Sequence, residues 1–443
     1  MWRALAIALC AATPLAAQEF FTLKGHGGPI MDVAVAPSGQ IATASFDNSV
    51  GLWQDTVPLW LEGHAAAVIS LAFWSNDILV SGGDDFAVHL WGRGGEGRAL
   101  GKHKGKVTAL ATCQGNTGLI ASASWDGSIG IWDVGTSVKA LLGNHPAVIP
   151  SFLTGHSSGV NDVAFSPDCG TLYSASSDGT IRIWDVAQGS QKRQLVKHGF
   201  GVNKLVLNTS EGWLAYGAVD GGTRIVNLET GREIADFTLD RRPILSMDFD
   251  AAHNRLAVGD GEGFIMLIDT AAMKIAQDFR ATQRGPIWAL AFSEDGQNIH
   301  AGGIEDTMYS WPVATIRGHG QMSGTQRSFL EDPNTLSNGE RQFKRKCSIC
   351  HALTPSSARK AGPTLYQLFG RKAGAVTDYA YSNILTGSDI IWSAQTINGL
   401  FDLGPDHYIP GTKMPMQRIV KQADRDDLID YLRRATAPGG EPE

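Results

Sequence analysis

A tryptophan closing a strand-like segment recurs along the first three quarters of this chain and fixes what that part can become. It stands at Trp53, Trp91, Trp132, Trp184 and Trp311, with Asn227 and Asp269 in the equivalent places of two degenerate copies. Successive spacings are 38, 41, 52, 43, 42 and 42 residues. Apart from the third, they cluster about the length of a four-stranded repeat unit. Asp47, Asp85, Asp126 and Asp178 each lie six residues before a Trp, between two alternating apolar segments. His26, His64, His103, His156 and His198 mark the entry to successive units. The 52 glycines suit many short strands joined by tight turns.

With Gly25-His26, Gly63-His64 and Gly155-His156, and with Ile131-Trp132-Asp133 and Ile183-Trp184-Asp185, the segment resembles the WD40 family. The resemblance implies an all-β, seven-bladed propeller over residues 18–318. It also implies buried hydrogen-bonded sets: His26, Ser45, Asp47, Trp53; His103, Ser124, Asp126, Trp132; and His156, Ser176, Asp178, Trp184. Such His–Asp pairs mimic catalytic dyads, but recurring once per blade they are structural. Blade two has Gly83 where the hydroxyl is expected, blades five and six lack the Trp, and blades six and seven lack the Gly-His. Phe20 to Leu23 reads as a strand that completes the last blade and closes the ring. The long third interval places an insertion in Leu141 to Thr154, between blades three and four. Phe46 and Trp125, each just before a turn Asp, fall on the face where such proteins dock partners. Cys113 and Cys169 are expected to be unpaired thiols.

Cys347-Ser-Ile-Cys350-His351 is a different kind of signal. C-x-x-C-H lets two thiols bond to haem vinyl groups while the adjacent imidazole binds iron. A redox dithiol and half of a zinc site share the C-x-x-C core. Zinc wants four ligands, and Cys10, Cys113 and Cys169 supply no second pair at this spacing. A dithiol enzyme is expected near a βαβ pattern, and none is legible. Residues 319–334 read as a linker, residues 335–437 as an all-α domain, and residues 438–443 as a disordered tail. Gly339, Phe343 and Cys347 share one helix face, and Leu428, Tyr431 and Leu432 form a stripe on a last helix starting near Ala423.

Gly362-Pro363, Leu368-Phe369-Gly370-Arg371-Lys372, Tyr408-Ile409-Pro410-Gly411-Thr412-Lys413-Met414 and Asp427-Leu428-Ile429-Asp430-Tyr431-Leu432 resemble class I cytochrome c of the mitochondrial and c2 type. The resemblance implies one covalent haem c with His351 and Met414 as axial iron ligands. The Pro363 carbonyl would fix the imidazole, and Arg371, Tyr381, Trp392 and Thr412 would hold the propionates. Met416 competes with Met414. Leu385 stands where the family usually has Asn, and Leu400 where it usually has Tyr near the Met sulfur. Lys344, Lys346, Lys360, Lys372, Lys413 and Lys421 are candidates to ring the haem edge.

Arg3, the apolar run Ala4–Ala12 and the small residues Ala16 and Ala17 have the layout of a secretory signal over residues 1–17, which points to the periplasm. No later run is long enough to span a bilayer as an apolar helix. From Asn334 onward, 14 basic against 11 acidic residues give +3, so the preceding part carries −7 − (+3) = −10. That balance argues against nucleic acid and suits docking of the smaller part on an acidic redox protein, such as another cytochrome, an oxidase or a reductase. The leading expectation is an electron carrier with the propeller as a partner-docking scaffold, with no catalytic residues assigned. The alternatives are a propeller oxidoreductase feeding its fused cytochrome, and an assembly or sensing factor that uses haem as a switch.

Overall fold

The computed structural model describes residues 19–113, 118–135, 142, 148–239, 243–316, 337–348, 350–357, 360, 362–410, 412, 414 and 418–438. The signal segment, the 319–334 linker, Lys413 and Met416 lie outside them, as does all of the expected tail except Pro438. Among the described residues, 28 strands form seven four-stranded antiparallel sheets. Blade one is Ile30–Val35, Ile41–Ser45, Ser49–Gln54 and Val57–Glu62. The two middle strands of each blade read as near-continuous apolar or small residues because both faces are covered by neighbouring blades, as in the fully buried Ile78–Gly83. Outer strands such as Ser190–Lys197 alternate poorly and face water.

The ring closes as expected. Phe21–Lys24 pairs antiparallel with Thr307–Pro312, from Phe21 opposite Ser310 to Lys24 opposite Thr307, and becomes the outer strand of blade seven. Phe20 packs on Trp311 with ring centres 4.8 Å apart.

The buried sets exist, but with a different hydroxyl. Trp53 Nε1 donates to Thr43 Oγ1 (2.8 Å), Thr43 Oγ1 meets His26 Nε2 (2.8 Å), and His26 Nδ1 meets Asp47 Oδ2 (3.0 Å). The same chain runs through Ser81 in blade two, Ser122 in blade three and Ser174 in blade four. The expected Ser45, Ser124 and Ser176 sit two residues further along the same strand face, where Ser45 Oγ instead donates to the Gly28 carbonyl and accepts the Asp47 N–H. Blade two therefore has its hydroxyl after all, at Ser81, and Gly83 is no gap. In blade five Tyr216 takes this register position, its hydroxyl 3.2 Å from His198 Nδ1.

Two further expectations are corrected. Cys113 and Cys169 are joined in a disulfide, with Cα atoms 5.8 Å apart, so blades three and four are covalently clamped. Ser151–Thr154 pairs with Ser128–Asp133 as the outer strand of blade three, so the extra residues fall within that blade rather than after it.

The blades are tied by carboxylates that the sequence pattern disguised as ordinary strand polars. Asp32 accepts the Leu71 N–H (2.7 Å), Asp162 that of Leu205 (2.9 Å) and Asp248 that of Phe292 (2.7 Å), each reaching into the next blade. Burial pushes Asp32 up to about 6 against the pull of the Lys204 ammonium.

The C-terminal region is helical: α1 (Asn338–Lys346), α2 (Asn383–Thr386), α3 (Ala394–Leu403), α4 (Pro405–Tyr408) and α5 (Gln422–Ala435). Its one strand-like feature among the described residues is an isolated bridge between Lys372 and Ile391. Helices α1 and α5 cross at Gly339, where an added Cβ would stand 2.0 Å from the Asp427 carbonyl oxygen, so only glycine admits that approach. Phe343 and Tyr431 pack beside the crossing, ring centres 5.5 Å apart. A Ser393/Thr396 capping box starts α3. Among the described residues no helix is long and apolar enough to cross a membrane.

Candidate functional site

Helix α1 starts at Ser337, whose side chain accepts the Glu340 N–H, and ends at Cys347, whose N–H donates to the Phe343 carbonyl. The chain then turns tightly. Cys350 N and His351 N both donate to the Cys347 carbonyl, at 3.0 and 2.9 Å, which presents two thiols and an imidazole toward one cleft. Gly362 N donates to the Cys350 carbonyl (2.7 Å) and Leu365 N to that of Ala352 (2.8 Å), strapping the following segment against the turn. His351 Nδ1 lies 2.7 Å from the Pro363 carbonyl oxygen, a partner that can only accept. The proton therefore sits on Nδ1, and Nε2 keeps its lone pair for a ligand. Burial lowers the His351 pKa, which keeps the ring neutral.

Burial pushes Cys347 up to about 12 and Cys350 up to about 11. Both stay protonated and unpaired at neutral pH, unlike the lowered thiols of redox dithiols. Among the described residues no group of His, Cys or acids with metal-ligand spacing includes either thiol. Raised thiols without a metal-ligand set among the described residues suit a thioether-forming pair better than a redox dithiol or a zinc half-site.

All nine residues expected at the site, Cys347, Cys350, His351, Pro363, Arg371, Tyr381, Trp392, Thr412 and Met414, line this single cleft of about 1360 Å³ including its open mouth. Its walls are apolar, with Leu365, Leu368, Ile397, Leu400, Phe401 and Leu432 among them. An apolar slot with a few convergent polar groups, a neutral imidazole and a thioether fits a flat hydrophobic macrocycle holding a soft iron. Thr412 Oγ1 accepts the Met414 N–H (3.2 Å), which fixes the loop that carries the sulfur. Arg371 spends two donors on the Tyr366 and Thr364 carbonyls, both at 2.6 Å, and a guanidinium has five. The remaining donors are available to an acid at the cleft. Trp392 is held by backbone bonds to Arg371 and Gly370.

Two site residues escaped the sequence reading. Tyr379 lines the cleft, edge-on to Tyr381 with ring centres 4.9 Å apart. Burial, with Tyr381 and Cys350 adding to it, pushes the Tyr379 phenol up to about 12. Arg425 is buried in α5, donates to the Ile419 and Val420 carbonyls and to Asn398, and pairs with Asp402 at 3.2 Å. It pins the chain leaving the Met414 loop. Its signal was an arginine at i with Leu428, Ile429 and Leu432 at i+3, i+4 and i+7, inside the apolar stripe. Leu385 and Leu400 both line the cleft, so those two positions contribute no hydrogen bond there. Of the lysines, Lys346 lines the cleft, whereas Lys372 pairs with Asp389 at 3.1 Å. The Lys344 side chain and Lys413 lie outside the described residues.

In the propeller, the group with metal-ligand spacing among the described residues is His64, Asp85 and His89. Both His64 nitrogens are already engaged, by Asp85 and Ser81. His89 stacks on Trp91 and covers the His64 ring, as Trp60 covers His26 and Phe152 covers His103. The cluster is a variant of the blade network.

Comparison with known proteins agrees with this division. Residues 17–54, 57–92, 96–133 and 148–185 match the WD domain, G-beta repeat, and residues 336–436 match the family described as Cytochrome c. The C-terminal quarter is 44% identical over 101 residues to a cytochrome c of Theileria parva, covering 86% of that protein and 23% of this chain. It is 41% identical over 105 residues to a cytochrome c of Sesamum indicum, covering 94% of it and 24% of this chain. A Ginkgo biloba cytochrome c is 39% identical over 105 residues, with 92% of it and 24% of this chain covered.

Proposed function

Because this chain belongs to the cytochrome c family through its C-terminal domain, behind a WD40-repeat propeller, we propose that it carries single electrons in the periplasm on one covalently bound haem c. Bound there, haem supplies an iron that cycles between ferric and ferrous states. The chain's own residues do the rest. Cys347 and Cys350 would tether the haem through thioether links, and His351, oriented by the Pro363 carbonyl, and Met414 would ligate its iron. Arg371, Tyr381, Trp392 and Thr412 would hold the propionates, in a helical domain that would take up the class I cytochrome c arrangement. The observation that carries this reading is the convergence of all nine residues on one apolar cleft.

The propeller is the scaffold on which a redox protein docks. Its His–Asp pairs in blades one to four are engaged in blade hydrogen bonds, which favours docking over chemistry there. Two observations support export: the layout of residues 1–17, and the Cys113–Cys169 disulfide, which belongs to an oxidising compartment.

Production of the full chain in a host competent for cytochrome maturation tests the assignment. Haem should survive denaturing electrophoresis, disappear in the Cys347→Ala/Cys350→Ala variant, and lose its low-spin Met-ligated spectrum in Met414→Ala. A colourless protein rejects the reading, and an unchanged Met414→Ala spectrum moves the ligand to Met416.

A further inference from the structure

The cleft is not bounded by the C-terminal domain alone. Phe46 and Asn48, from the turn inside blade one, also line it, together with Ala65, Ala66, Ala67 and Asp84 of blade two. These six share one face of the ring: Phe46 and Asp84 immediately precede Asp47 and Asp85, the carboxylates that receive the blade histidines. Around them that face is unusually apolar. Phe86 is 41% exposed, and Trp125 is 58% exposed with the Lys106 ammonium 3.4 Å from its ring centre.

Resting on the reading above, we propose that the turn face of blades one and two is a seat for the protein's own cytochrome domain, with the mouth of the haem cleft turned onto Phe46 and Asp84. Charge favours this pairing. The part before Asn334 carries −10 and the part after it +3, and Lys346 lines the same cleft as the exposed Asp84. The patch is small, which suits a reversible electron-transfer contact rather than a permanent one. A short covalent connection raises the effective concentration of a tethered partner to the millimolar range, so a contact too weak to join two separate chains is populated in cis. An external redox protein that uses the cleft mouth must displace the seat, so the seat screens which proteins exchange electrons with the iron.

The test uses the full chain and the variants Ala65→Lys and Phe46→Ala. Ala65 is exposed and contributes only its backbone N–H to the blade network, so a lysine there obstructs a docked domain without disturbing the fold. Small-angle scattering reads docking whether or not haem is attached. Both variants should show a larger radius of gyration than the parent at unchanged mass, and 0.5 M salt should expand the parent toward them. In the haem-loaded protein, oxidation of the reduced form by neutral benzoquinone should be about three- to tenfold faster in both variants. Equal radii, or equal oxidation rates with haem attached, overturn the seat. A mass that doubles with concentration in the parent alone also overturns it, by making a second copy the occupant. Absence of attached haem rejects the electron-carrier reading, while the scattering still decides the seat.

Discussion

Gly362→Ala is the substitution through which the cleft geometry is most directly tested. A Cβ at this position stands 2.5 Å from His351 Cε1 and 2.8 Å from Nδ1, whereas ordinary contact begins near 3.4 Å. The imidazole must therefore retreat by 3.4 − 2.5 = 0.9 Å. It has nowhere to go without loosening the 2.7 Å bond from Nδ1 to the Pro363 carbonyl or the 2.7 Å bond from Gly362 N to the Cys350 carbonyl. Losing one such bond costs about 1 kcal/mol. Overpacking a filled site costs about 1–3 kcal/mol more. The expected loss is about 2–4 kcal/mol, at least about 8 °C in midpoint for a domain of this size. Thermal unfolding of the haem-loaded full chain, followed at the Soret band, isolates the C-terminal domain. The iron potential should rise in the same variant, because an imidazole tilted off the Pro363 carbonyl is a weaker donor and stabilises ferric iron less. A midpoint within 2 °C of the parent and an unmoved potential would mean that residue 362 does not seat the ring.

Ser81→Ala should destabilise the propeller by about 2–4 kcal/mol in urea, since it orphans Trp91 Nε1 and His64 Nε2 together. Gly83→Ser should also destabilise it, because the new Cβ meets His64 Nδ1 at 2.6 Å; a neutral Ser81→Ala or a stabilising Gly83→Ser would refute the hydroxyl assignment. Burial pushes His300 down to about 4, so its contribution is intact above the free value of 6.5 and is lost as pH falls from there to 4. The difference is about 3 kcal/mol by pH 4, opposed by Asp32, which takes up a proton on folding between about 6 and 3.8. The stability gap between parent and His300→Gln should therefore shrink across that window, and a constant gap would show that His300 titrates freely. Cys113→Ser with Cys169→Ser should cost about 2–4 kcal/mol, and alkylation of the unreduced protein should leave both cysteines unmodified; two labelled thiols would disprove the bridge.

The seven-fold repeat and the haem motif were legible because each is local: a Trp every forty-odd residues, and five consecutive residues with one established chemistry. What failed was relational. Thr43 and Ser45 are two apart on one strand, so both point the same way, and only the depth reached by His26 and Trp53 decides between them. The distance between Cys113 and Cys169 depends on how far apart blades three and four sit, and on the left-handed turn at Cys169, φ 60°, neither of which spacing encodes. Counting from one Trp to the next located surplus residues but not whether Ser151–Thr154 belonged before or after them. Asp32, Asp162 and Asp248 satisfy the alternation of an ordinary strand, and their partners are some forty residues away in the next blade. The cytochrome domain was the more transparent part, since its candidate ligands, straps and helix crossing are all compressed into about a hundred residues.

The seam between Phe21–Lys24 and Thr307–Pro312 sets a timetable for biogenesis. The two partners are separated by 310 − 21 = 289 residues, among the most distant pairings in the molecule, so the circle cannot be sealed until nearly three quarters of the polypeptide has been delivered. Until then the last-made blade offers a bare edge, and Phe21–Lys24 acts as a latch that must be kept unpaired and available. Cys347 and Cys350 follow the latch's receptor in the chain, so they are made after every strand the ring needs for closure. Trimming the chain past Lys24 should therefore harm far more than its own four residues.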